Sequence, residues 1–267
     1  MRLVKLHDGA TSEKALNVFG KIYNVVLLSC TLETDWIMLD HRIFLATDLI
    51  TEMASGNLMT FGQTKSTMDI FLKLEKIFAK NRVVVDYDED DDDDNQDEMD
   101  HQEFDEDLDV LVDVINKFYS MLGEMVKINS TVMMPLITSD ILKRACEFLQ
   151  EEGDSAEGIL TFMTQYFRYC GGGKSVIKVF SHFIPTIIGC LEIPDSDVRQ
   201  NAVKALIEAS KIAKDKFSPW AMDALVALDT INDQDITEYV ISAMSTIIQN
   251  VPLPSNDAHV IIPKWFN

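Results

Sequence analysis

A chain of 267 residues with only 11 glycines and 7 prolines is poor material for an all-β design, which needs both for tight turns. Its 47% hydrophobic content suffices for a buried core, and its formal charge of −21 disfavours contact with the phosphates of nucleic acid. No run approaches the roughly 18 apolar residues that a membrane span needs, and the start MRLVKLHDGA holds no long apolar stretch, so neither membrane insertion nor a signal peptide is expected.

The amino end reads as helices near 12–29, 34–55 and 64–80. Between His41 and Ala54 a three- and four-residue spacing puts Ile43, Phe44, Ala46, Thr47, Ile50 and Met53 on one face. Gly56 and Asn57, both tolerant of left-handed backbone, stop that helix.

From Asp86 to Asp109 stand 16 carboxylates and no Lys or Arg. Outside this segment acidic residues exceed basic ones by only five. Asp90, Asp91, Asp92, Asp93, Asp94, Asp97 and Glu98 form its densest part. Like charges with almost nothing apolar to bury predict a disordered, solvated loop. It divides the chain into 1–85, the insert 86–109, and 110–267. Two roles stay open for it: a spacer that keeps the protein soluble, or a tethered polyanion that attracts a basic partner and weakens with salt.

Order is expected again at about Leu108, where Leu111, Val114, Ile115, Phe118, Tyr119 and Leu122 mark an amphipathic helix. Helix pairs follow near 131–150 with 154–169, 176–192 with 195–213, and 217–230 with 233–250, and a last helix begins near 257. Gly153-Asp154, Gly171 to Gly173, Pro194-Asp195, Ser218-Pro219 and Asn232-Asp233 punctuate them.

Self-similarity sets the architecture. A shift of 38 residues superposes DSDVRQNAVKAL (195–206) on DQDITEYVISAM (233–244), pairing Asp195 with Asp233, Asp197 with Asp235, and Val198 with Ile236. A shift of 44 the other way puts Gly158 under Ala202. Two helices in a period of 38 to 44 residues is the HEAT range, so the fold class expected is an all-α superhelix of about five to six helix pairs, the last incomplete. Asp195 is placed to cap the second helix of its pair, and Arg199 to reach a carboxylate of the neighbouring repeat.

Catalytic chemistry finds no foothold. GGGKS (171–175) lacks the phosphate-loop glycine five residues before Gly173, where Arg168 stands. The acidic run has no glycine for a calcium loop, the five histidines are isolated, and no GxSxG occurs, so no metal, cofactor or catalytic residue is assigned. Cys30, Cys146, Cys170 and Cys190 lack framework spacing and fit a reducing compartment. Trp220 and Trp265 fall in first helices, as core residues or as walls of shallow slots for a partner's Phe side chains. The protein is expected to bind proteins rather than to catalyse.

The order of features resembles the importin-beta (karyopherin-beta) transport receptors, closest to the C-terminal part of the branch that imports ribosomal proteins. LITEMASG (49–56), an acidic insert, LDVLVDVINKFYSML (108–122), MMPLI (133–137), FIPTIIGCLE (183–192), SDVRQNAVKAL (196–206), EYVISAMSTII (238–248) and VIIPKWF (260–266) carry the resemblance. It implies a HEAT array moving between cytoplasm and nucleus through the nuclear pore. The partners it implies are basic cargo with nuclear localisation signals, Ran in its GTP form, and phenylalanine–glycine nucleoporins. Family members are usually several times longer, so a partial receptor or a shortened relative is expected. The alternative is a general HEAT scaffold for another protein complex.

Overall fold

The computed structural model describes residues 13–32, 36–55, 62–70, 72–73, 98–151, 156–171 and 174–253. Every regular element among them is helical, and none is long and apolar enough to cross a membrane. The chain divides into two compact units, 1–114 and 115–267.

In the first unit, α1 (Glu13–Leu32) packs on α2 (Trp36–Ser55), and 62–70 form α3. Ile43, Ala46, Leu49 and Ile50 of α2 are buried. Phe44 departs from the expected buried face and is 51% exposed. One residue on from Ile43 is a rotation of about 100°, which carries its side chain off the stripe. The Tyr23 hydroxyl joins α1 to α3, donating to the Gln63 carbonyl at 2.6 Å and hydrogen-bonding Thr67.

Helix α4 (Glu98–Met133) starts ten residues before the expected return of order, inside the segment read as disordered. The sequence of its first turns is rich in Asp and Glu, residue types that suit the positive end of a helix dipole. The backbone leaves helical geometry at Asn129 (φ −144°, ψ 65°). The expected helix 131–150 is interrupted as well. A turn over 134–138 containing Pro135 precedes α5 (Ser139–Glu151), whose Ile141 amide donates to Thr138 Oγ1 at 3.4 Å.

The second unit continues with α6 (Glu157–Cys170), α7 (Lys174–Gly189), α8 (Ser196–Ala213), α9 (Ser218–Thr230) and α10 (Thr237–Asn250). These make two rows. First helices α5, α7 and α9 pack in sequence, as do second helices α6, α8 and α10, and each first helix lies against the second helix that follows it. The carboxyl-terminal part of α4 heads the second row, with Tyr119 against Phe162 at 5.6 Å between ring centroids. This is the all-α array of helix pairs.

Small residues set how closely the second helices approach. A Cβ built on Gly123 would lie 3.1 Å from the Phe162 Cα, and Ala202, Ala205 and Ala243 are fully buried. Positions related by the 38-residue shift share burial at Val198 and Ile236, and at Ala205 and Ala243. Val203 and Ile241 differ, at 0% and 53% exposed. Val203 sits in α8, which has α6 on one side and α10 on the other. The expected helix near 257 lies outside the described residues.

Candidate protein-interaction surface

The repeat also shows in its polar links. Side-chain hydrogen bonds that tie one helix pair to the next join residues 34 to 42 apart. Asp195 caps α8, its carboxylate accepting from the Val198 amide at 2.8 Å. Arg199 donates from Nη2 to Asp233 at 2.6 Å and from Nη1 to the Ile193 carbonyl at 3.1 Å, and Ser196 adds a bond to Asp233. Asp197 is exposed, while Val198 and Ala202 are buried. Asp233 does not cap α10 as its alignment with Asp195 predicts. That helix starts at Thr237, after a turn in which Asp233 accepts from the Asp235 amide. The Arg199 guanidinium, with the Asp235 amide and Ser196, holds the Asp233 carboxyl below its usual range.

A second link joins α6 to α8. Arg168 and Lys211 both bond Glu208 Oε1, at 2.9 and 3.1 Å. Burial alone would raise the Glu208 carboxyl, but the two cations outweigh it and the net shift is downward.

The first row holds a slot of about 420 Å³ between α5 and α7, lined by Leu149, Gln150, Pro185, Thr186, Gly189, Cys190 and Ile193. Two features of α7 open it. Pro185 interrupts the helix hydrogen-bond ladder, and Gly189 presents no side chain, with empty space for 4 Å around where a Cβ would stand. Gln150 Nε2 donates to Thr186 Oγ1 at 3.2 Å, and the Cys146 thiol to the His182 carbonyl at 3.4 Å, which fixes the width. Burial pushes the Cys190 thiol up to about 12, so the slot offers an apolar wall and not a nucleophile.

Trp220, one residue expected to wall such a slot, lines none of this one. It is partly buried in α9, edge-on to Phe217 at 6.4 Å. Trp265 lies outside the described residues, as do Asp90, Asp91, Asp92, Asp93, Asp94 and Asp97. Glu98 opens α4. The slot between α5 and α7 is marked in the sequence by a proline and a glycine four residues apart.

The second row carries charge at its edges. Glu157, Asp197 and Glu238, all exposed, occupy the first turns of α6, α8 and α10. Arg168 and Lys211 occupy the last turns of α6 and α8. The second helices run in one direction, so carboxylates gather along one edge and cations along the other.

No family model matches the chain, and no curated protein matches it. Solved structures do. A crystal structure of a Kap121p mutant aligns with a TM-score of 0.57 and 17% identity, over 88% of this chain and 21% of that one. A structure of Kap121p bound to Nup53p aligns with a TM-score of 0.57 and 18% identity, over 88% and 20%. The chain spans about a fifth of Kap121p. At this identity the likeness is one of fold, that of karyopherin HEAT repeats.

Proposed function

We propose that this chain is a transport-receptor-like segment that binds proteins and does no chemistry of its own. The slot between α5 and α7 carries the reading. It sits between successive first helices, is walled by Leu149, Pro185, Cys190 and Ile193, and is large enough for an aromatic side chain of a phenylalanine–glycine nucleoporin. The Kap121p structure that shares this fold was solved with Nup53p bound, which supports a pore protein as one class of partner.

Basic cargo, such as a nuclear localisation signal or a ribosomal protein, is the second class. The exposed edge of Glu157, Asp197 and Glu238 offers one carboxylate per repeat, and the 16 carboxylates of 86–109 add long-range attraction. Ran in its GTP form would release such cargo, with the protein passing between cytoplasm and nucleus.

Filling the slot tests the reading. Gly189→Leu projects a side chain into it from a position where nothing stands in the way. A labelled phenylalanine–glycine peptide should bind the native chain and lose roughly tenfold or more on this variant, with thermal stability retained. Equal binding by both proteins, or none by the native chain, rejects the slot. A stable partner that ignores both such peptides and Ran would favour a general scaffold.

A further inference from the structure

The slot between α5 and α7 is layered. Leu149 and Cys190 form its floor, each 2% exposed, while Gln150, Pro185 and Gly189 stand exposed at its rim. A ring that reaches the floor therefore leaves the main chain of its own residue at rim level. There the peptide N–H and C=O lose water against an apolar wall, and each needs a partner in exchange.

Few groups at the rim can supply one. The side chain of Pro185 is apolar and Gly189 has none. Thr186 is already engaged, its one hydroxyl hydrogen going to the His182 carbonyl at 3.1 Å and its oxygen accepting from Gln150 Nε2 at 3.2 Å. Gln150 keeps spare capacity. That bond uses one of its two Nε2 hydrogens, and its Oε1 has no partner among the described residues. The same bond spans from α5 to α7, so it holds the carboxamide at the rim. As a tie between helix pairs it adds little, because a neutral, exposed hydrogen bond largely exchanges one water contact for another.

We propose that Gln150 reads the main chain of the bound segment, its carboxamide pairing with the N–H and C=O of the residue whose ring fills the slot. This role presupposes that the slot takes the ring, as proposed above, and adds a requirement on the chain that carries it. A carboxamide holds one donor and one acceptor side by side. A residue of extended chain matches it, since its N–H and C=O point the same way. A helical segment uses both groups in its own ladder. The slot thus selects an aromatic residue on an extended partner over the same ring on a helix.

The test uses the full chain and a labelled, unstructured phenylalanine–glycine peptide, followed by fluorescence anisotropy. Gln150→Met, close in length but without hydrogen-bonding groups to match, should weaken binding roughly tenfold, and Thr186→Val, which breaks only the bridge, about twofold. A peptide with phenyllactic acid in place of the phenylalanine puts an ester oxygen where the N–H stood. It should bind the native chain roughly fivefold more weakly than the amide peptide, and Gln150→Met should bind the two peptides alike. Circular dichroism should show both variants as helical as the native chain. If Gly189→Leu abolishes binding while Gln150→Met binds as the native chain does, the slot stands and the main-chain contact fails. Equal losses for Gln150→Met and Thr186→Val would make Gln150 a tie between helices only, and an ester peptide bound undiminished by the native chain would overturn the pairing. Native affinity in Gly189→Leu removes the slot, and the role of Gln150 with it.

Discussion

The amide of Gly158 donates to the side-chain oxygen of Asn116 at 3.1 Å, and a Cβ at 158 would fall 2.0 Å from the Asn116 carbonyl oxygen. Two helices 42 residues apart thus meet backbone to backbone, closer than any other residue at 158 permits. The obstacle is main chain, which cannot swing aside as a flexible side chain would.

Gly158→Ala must therefore push α6 from α4. Overpacking of this kind costs about 1–3 kcal/mol, and here the upper end is expected because a hydrogen bond is lost as well. Gly189→Ala is the matched control. Its Cβ meets nothing within 4 Å, so the change should be neutral or stabilise by up to about 1 kcal/mol. Chemical denaturation of both variants checks the pair, and equal stability would show that the α4–α6 contact is not tight.

How far such contacts were legible in the sequence depends on their range. The shift of 44 residues set Gly158 under Ala202, and the structure packs the first against the Asn116 backbone and buries the second completely, because stacking imposes size limits that recur with the repeat. Asp195 was legible because a cap is a local device, satisfied within three residues. Asp233 misled for the converse reason. It looks like Asp195 in sequence, yet Arg199, 34 residues earlier, engages it, and α10 starts four residues later. Phe44 and the slot were missed because exposure and concavity depend on which neighbours are present, and periodicity does not record that. The start of α4 at Glu98 was hidden by charge, since composition there argued against order while the helix amino end tolerates carboxylates.

Asp195 and Asp233 should accordingly differ when replaced. Asp195→Ala removes the side-chain acceptor that caps α8, and loss of a cap costs about 1 kcal/mol. It should leave the Arg199–Asp233 pair intact. Asp233→Ala frays no cap of α10 but strands Arg199 between α8 and the following turn, so it should couple strongly to Arg199→Ala in a double-mutant cycle. Thermal melts of the three single variants and the two doubles would measure this. Additive losses for Arg199 and Asp233, or coupling between Asp195 and Asp233 as large as theirs, would contradict the arrangement.

Glu208 predicts how the α6–α8 contact responds to acid. Burial opposes its ionisation, yet Arg168 and Lys211 on one oxygen hold its folded carboxyl below the usual value. For a carboxyl depressed on folding, the contribution to stability is complete above the unfolded value of about 4.3 and is lost as pH falls through the folded one. Global stability alone would blur this, because protonating 86–109 relieves repulsion and pushes the other way. The difference between the native chain and Glu208→Gln removes that background. Melting temperatures of both, taken from pH 6 down to 2.5, should show the variant less stable at the upper end and the gap closing below about pH 4. A gap that stays constant over this range would mean that Glu208 is held by packing, and that its two cations add nothing to the joint between repeats.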